Sequence, residues 1–325
     1  MSRRVLFLVG PTGSGKSKLA LHLAKKLNGE IISCDSMLIY RGMDIGTDKP
    51  TPKEQKLVPH HLLDLRSPRA ECSVFKHREM ALKAMDQIFA KKRLPIIVGG
   101  SGFYFKTLVD GLTPQSGKQA QFRNKLEALA CQKGLSYLYG RLKKIDSERA
   151  SKIHPNDKRR IIRALEILKS SEKIKNNLVG GFDSRGIRWI AFGLSRDRVE
   201  LYQGIGQRVD RMFESGWINE VKRLKRMGLS KTARAAIGYT EILNYLDGKQ
   251  TLEKAKSAIK KRTRHLAKKQ MTWFRRDKRI RWIPIAGDKF VSPSARHILK
   301  HVRNSFATSV ILRPSGRRMT SKVKH

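Results

Sequence analysis

Residues 5–27 constrain this chain more than any other stretch. Val5, Leu6, Phe7, Leu8 and Val9 are apolar in succession, as a strand buried on both faces of a parallel sheet requires. Leu19, Ala20, Leu23, Ala24 and Leu27 then fall at helical spacing. Between them lies Gly10-Pro11-Thr12-Gly13-Ser14-Gly15-Lys16-Ser17, a GxxxxGK[ST] loop with a strand before it and a helix after it. Glycine lets the backbone wrap an anion, and the amides and helix N-terminus supply partial positive charge. Lys16 neutralises terminal phosphate oxygens, and the Ser17 hydroxyl can coordinate Mg²⁺. The ligand is a di- or triphosphate. The loop does not say that phosphate is transferred.

The usual companion of phosphate transfer is an apolar strand ending in an acid. Here residues 95–98 run instead into Gly99-Gly100-Ser101-Gly102. The strand that does end in an acid is Glu30-Ile31-Ile32-Ser33-Cys34-Asp35, directly after the first helix. Adjacent strands of a doubly wound sheet open their C-terminal ends into one crevice, which puts Asp35 near the phosphates. A carboxylate there can bind Mg²⁺ or act as a base toward an acceptor. The plainer alternative is a helix cap beside Ser36.

Alternating strands and helices predict an α/β fold, a doubly wound parallel sheet of the P-loop NTPase type with an inserted helical domain. The core's first part spans residues 1–117. A leucine-rich helical insertion follows at 118–186, the chain returns to the core with basic helices at 187–312, and a basic disordered tail closes it at 313–325. The 70 Lys plus Arg against 27 Asp plus Glu give a net charge of +43, so a polyanion, nucleic acid first, is the expected partner. No apolar run approaches the ~20 residues of a membrane span. The opening apolar run ends in a glycine loop rather than a cleavage site, and Cys34, Cys72 and Cys131 lack metal or disulfide spacing. A cytoplasmic protein is expected. His60-His61 is read as structural rather than metal-binding, and His154 before Pro155 as a hinge or packing residue.

The run from Asp35-Ser36-Met37-Leu38-Ile39-Tyr40 to Asp44-Ile45-Gly46-Thr47-Asp48-Lys49-Pro50 resembles the tRNA dimethylallyltransferases. So do Pro59-His60-His61-Leu62-Leu63-Asp64, Gly99-Gly100-Ser101-Gly102-Phe103-Tyr104 and Ile153-His154-Pro155-Asn156-Asp157. Ala236-Ile237-Gly238-Tyr239 and Ala267-Lys268-Lys269-Gln270-Met271-Thr272-Trp273-Phe274-Arg275-Arg276 complete the family's order. The resemblance covers about residues 5–284.

It implies transfer of a dimethylallyl group from dimethylallyl diphosphate to N6 of the adenosine 3′ to the anticodon. The tRNAs are those reading codons that begin with U, and diphosphate leaves. By resemblance Asp35 is the general base, and Thr12, the loop 10–17, Lys16, Mg²⁺ and Arg208 stabilise the diphosphate. For Arg208 a solvated helix arginine is the plain alternative. Ser101 touches substrate where the family usually has threonine, and Ser36, Met37 and Leu38 line the adenine pocket. Arg123 with Arg159, Arg160, Ile161, Ile162 and Arg163 meets the anticodon stem-loop of the tRNA. Lys260, Lys261, Arg262, Arg264, Lys268 and Lys269 add phosphate contacts. Leu38 and Arg159 stand where many relatives carry glutamine. A monomer is expected. The competing readings are a small-molecule P-loop kinase and a noncatalytic RNA-binding protein.

Overall fold

The computed structural model describes residues 3–112, 120–171 and 180–307. The chain opens with β1 (Arg4–Val9), α1 (Lys16–Leu27), β2 (Gly29–Ser33), α2 (Pro52–Leu57) and β3 (His60–His61). Next come α3 (Val74–Ala90), β4 (Leu94–Gly99) and α4 (Gly102–Val109). A helical stretch follows, with α5 (Ala120–Lys133), α6 (Leu135–Ile145), α7 (Ser147–Ser151) and α8 (Lys158–Ser171). Then come β5 (Arg188–Arg196), α9 (Arg198–Glu214), α10 (Trp217–Met227), α11 (Lys231–Arg234) and α12 (Tyr239–Leu246). Last are α13 (Leu252–Arg275), β6 (Ile280–Ile285) and α14 (Val291–Ala307).

The strands form one sheet in the order β3-β2-β4-β1-β5-β6, every pairing parallel. This corrects one step of the sequence argument. β2 is not the neighbour of β1, because β4 lies between them. The crevice therefore has the Gly99–Gly102 turn at its centre, with the glycine loop on one side and Asp35 on the other.

The chain divides into two compact units. The first comprises Met1–Cys72, Met80–Gly102 and Arg188–His325; the second comprises Ser73–Glu79 and Phe103–Ile187. In the first, Leu6, Leu8, Leu19, Leu23, Ile96, Phe192, Ile298 and Val302 pack one face of the sheet against α1 and α14, which lie side by side on it. The basic C-terminal helices expected from sequence thus include one, α14, with a buried apolar stripe. A separate cluster of Ile39, Tyr40, Met43, Trp217, Leu224 and Tyr239 seats residues 37–45 against α10 and α12. In the second unit Leu126, Leu138, Leu142, Ile161 and Leu165 form the centre of a small bundle. Arg78 fastens that unit from within, its Nε donating to the Thr107 carbonyl at 2.8 Å and its Nη2 to Gly180 at 2.5 Å. The tail at 313–325 lies outside the described residues. Among those described, no helix is long and apolar enough to cross a membrane.

Candidate active site

The glycine loop joins β1 to α1, and Gly15 takes φ +79° immediately before the helix begins at Lys16. A Cβ there would come within 2.3 Å of the Phe290 ring, so the ring's edge holds the loop from behind and glycine is required. Phe290 itself is buried, and sequence reasoning gave no reason to place it at the cradle.

Four charged groups converge on the loop. Lys16 Nζ donates to the Pro11 carbonyl at 2.6 Å. Arg208, from α9, donates to the Thr12 hydroxyl at 2.6 Å and pairs with Asp48 at 3.4 Å. Burial pushes the Lys16 ammonium down to about 7, with Arg208 acting in the same direction and Asp35 and Asp48 opposing. The cradle thus carries less positive charge than its residues suggest until an anion arrives.

The linkage has a definite sign. A bound diphosphate favours charged Lys16, so above pH 7 binding must take up a proton, whereas below it Lys16 is already charged. Affinity for inorganic pyrophosphate is therefore expected to fall as pH rises through 7 to 9. Lys16→Met removes the part of that slope that belongs to Lys16, and titration calorimetry in buffers of different ionisation enthalpy counts the protons. An equal slope in the variant would refute the assignment.

Asp48 is the second group missed from sequence, although it lies inside a motif singled out there. Its side chain is 59% exposed, and it competes with an anion for Arg208. Asp48→Asn is expected to tighten pyrophosphate binding by about two- to fivefold, a small effect because solvent screens the pair. Weaker binding in calorimetry would show instead that Asp48 helps to hold the ligand.

Asp35 follows β2 across the crevice. No helix begins there; Asp35 Oδ1 accepts the Met37 N–H at 2.8 Å and closes a tight turn. The capping alternative is thereby excluded, and one carboxylate oxygen holds the turn while the other can take a proton. Ser36, Met37 and Leu38 are half-buried on this turn, and Met37 leans on the Trp217 cluster. Ser101 is also half-buried, and its carbonyl faces the Cys34 thiol at 4.0 Å.

Within the second unit, Glu166 bridges Arg123 at 2.9 Å and Arg163 at 3.1 Å. Arg159 and Arg160 are exposed on α8. Ile161 and Ile162 are not available to a partner by their side chains: at 0% and 3% exposure they belong to the bundle core. Helical periodicity requires this, since a five-residue run always turns some positions inward. On α13, Lys260 pairs with Asp210 at 2.7 Å and Arg262 with Glu241, while Lys261, Lys268 and Lys269 are exposed.

The histidines are structural. His61 meets the buried Glu30 at 2.6 Å and His60 the Val58 carbonyl at 2.8 Å. His154 accepts the Asn156 N–H at 3.2 Å, shaping the turn before α8. Among the described residues no three His, Cys, Asp or Glu side chains gather to hold a metal. Ser17, exposed in the first turn of α1, presents a hydroxyl beside the loop, a donor of the kind a hard divalent cation takes.

The chain also matches known proteins in sequence and in fold. The family model described as IPP transferase matches residues 38–277. A tRNA dimethylallyltransferase of Carboxydothermus hydrogenoformans is 48% identical over 286 residues, covering 87% of this chain and 92% of that protein. The solved structure of a full-length tRNA isopentenylpyrophosphate transferase from Bacillus halodurans is 38% identical with a TM-score of 0.69, covering 94% of this chain and 99% of that one. A eukaryotic dimethylallyltransferase acting on tRNA superimposes with a TM-score of 0.77 at 27% identity, over 94% of this chain and 80% of its own. With identity and coverage of this extent, the chain belongs to the IPP transferase family.

Proposed function

We propose that this chain transfers the dimethylallyl group of dimethylallyl diphosphate to N6 of the adenosine next to the anticodon on its 3′ side. The tRNAs are those that read codons beginning with U. The observation that carries the reading is that the glycine loop after β1 and the carboxylate Asp35 after β2 open at the same C-terminal edge of the parallel sheet, on either side of the turn after β4. A kinase is not favoured, because neither β1 nor β4 ends in an acid.

An adenine amine is a poor nucleophile, its lone pair being delocalised into the ring. Asp35 accepts its proton as the N6–C bond forms and the C–O bond to diphosphate breaks, and the electron pair leaves with diphosphate. Charge accumulating there meets the loop amides, Lys16, Arg208 and the Thr12 hydroxyl that Arg208 orients. Mg²⁺, held through Ser17 and the phosphate oxygens, would neutralise further charge on the leaving group. A stacked base cannot reach the carboxylate, so the adenosine must be turned out of its loop and seated on residues 36–38. Arg123, Arg159, Arg160 and Arg163, with the exposed lysines of α13, are the groups offered to tRNA phosphates. In this reading the reaction is cytoplasmic, with one tRNA bound per monomer.

Nucleoside mass spectrometry of tRNA from cells with and without the gene tests the reading. Loss of N6-isopentenyladenosine is expected, and an unchanged level would overturn it. Purified protein should move isoprenoid label from dimethylallyl diphosphate to tRNA without ATP.

A further inference from the structure

We propose that Gln270 is a positioning residue that fixes the diphosphate loop against the Ser101 turn, an inference resting on the prenyl-transfer reading above. Gln270 lies 258 residues from Thr12 in the chain, yet its Oε1 accepts the Thr12 N–H at 2.8 Å. That contact also fixes the amide's orientation, since only the oxygen can accept from an N–H. The other end of the same amide abuts the turn after β4. A Cβ on Gly100 would lie 2.4 Å from Gln270 Nε2 and 3.3 Å from the Gly10 carbonyl. Three residues along α13, the Trp273 ring fills the space beside Gly102, where a Cβ would come within 2.1 Å. Positions i and i+3 of one helix therefore seat on the two glycines that flank Ser101. The helix is anchored where it does this: Ala267 is buried against Leu201 and Ile205 of α9, and Phe274 is fully buried.

Thr12 is thus held at both ends, its N–H by Gln270 and its hydroxyl by Arg208. One side chain touches the loop that holds the electrophile and the turn that lines the acceptor. Reacting atoms must stand about 3–3.5 Å apart and aligned, and a shift of 1 Å can cost about 100-fold in rate. Few residue types meet this demand. Asparagine is a methylene too short, lysine and arginine lack an acceptor, and glutamate would set a negative charge beside the diphosphate.

The test is steady-state prenyl transfer by Gln270→Ala, Gln270→Met and Gln270→Glu, alongside pyrophosphate affinity by calorimetry. Gln270→Met keeps the volume but not the acceptor, and so guards against an effect of lost packing alone. The alanine and methionine variants are expected to lose about 30- to 100-fold in kcat, with KM for both substrates within threefold. Gln270→Glu, which keeps an acceptor for Thr12, should recover kcat to within about fivefold while raising KM for dimethylallyl diphosphate. A wild-type kcat in Gln270→Met, or a loss confined to KM, overturns the proposal. Wild-type protein that prenylates no tRNA would instead overturn the reading on which it rests.

Discussion

Asp35→Asn is expected to lower kcat for prenyl transfer by about 10²–10⁴-fold, the usual range for a positioned proton acceptor. KM for dimethylallyl diphosphate should stay within a few-fold, because in the proposed mechanism Asp35 acts on the acceptor and not on the diphosphate. The asparagine variant is the informative one. Its carbonyl oxygen can still accept the Met37 N–H that closes the turn, so the backbone at residues 35–37 is preserved while the base is removed. Asp35→Ala loses both and confounds them. Binding of tRNA, followed by filter retention, should be nearly unchanged in the asparagine variant, since the proposed reading rests affinity on phosphate contacts elsewhere. Lys16→Met forms the contrast: its loss should appear chiefly as weaker diphosphate binding. Near-normal turnover by Asp35→Asn would remove Asp35 as the base and leave the turn as its whole role.

The sequence made the cradle legible because its parts are local. Strand, glycine loop and helix lie within residues 5–27, and one backbone shape serves one ligand chemistry. What could not be read was the sheet order. The β1–α1–β2 crossover steps over the position that β4 later fills, and nothing in residues 5–33 carries that information. The same limit hid Gln270 and Phe290, whose roles depend on contacts more than 250 residues away in the chain. In the sequence Gln270 stands only as one residue of the block 267–276 that carries the family resemblance. Its one local mark is that it is a neutral polar residue following two exposed lysines. In the helical insertion, the helical spacing of Leu126, Leu138, Leu142, Ile161 and Leu165 already marks Ile161 as core, whereas the five-residue run implied by the resemblance joins it and Ile162 to the arginines around them.

Glu220→Ala should cost the fold more than any other single change at the site's periphery. The carboxylate of Glu220, 5% exposed, accepts the N–H groups of Asp44 at 2.8 Å, Ile45 at 2.7 Å and Gly46 at 3.2 Å, and the Tyr239 hydroxyl at 2.8 Å. Three successive amides turned on one anion make a small nest, and alanine leaves all four donors without that partner. At about 1–3 kcal/mol for each donor left unsatisfied, less what water and loop relaxation recover, a loss of roughly 3 kcal/mol is expected. That corresponds to a fall in Tm of roughly 6–12 °C, readable by calorimetry. Glu220→Gln keeps one acceptor oxygen but turns an amide donor toward the same N–H groups, so it should recover only part of the loss. Function should follow stability here for a structural reason. The nest holds residues 44–46, and the same loop carries Asp48 to Arg208 and continues from the turn that Asp35 closes. Because Asp48 competes with the anion for Arg208 whereas Asp35 is proposed to act on the acceptor, Glu220→Ala is expected to lower kcat for prenyl transfer even below its melting temperature, without weakening pyrophosphate binding. A variant with unchanged Tm and unchanged kcat would show that the three amides find other partners and that the loop needs no anchor.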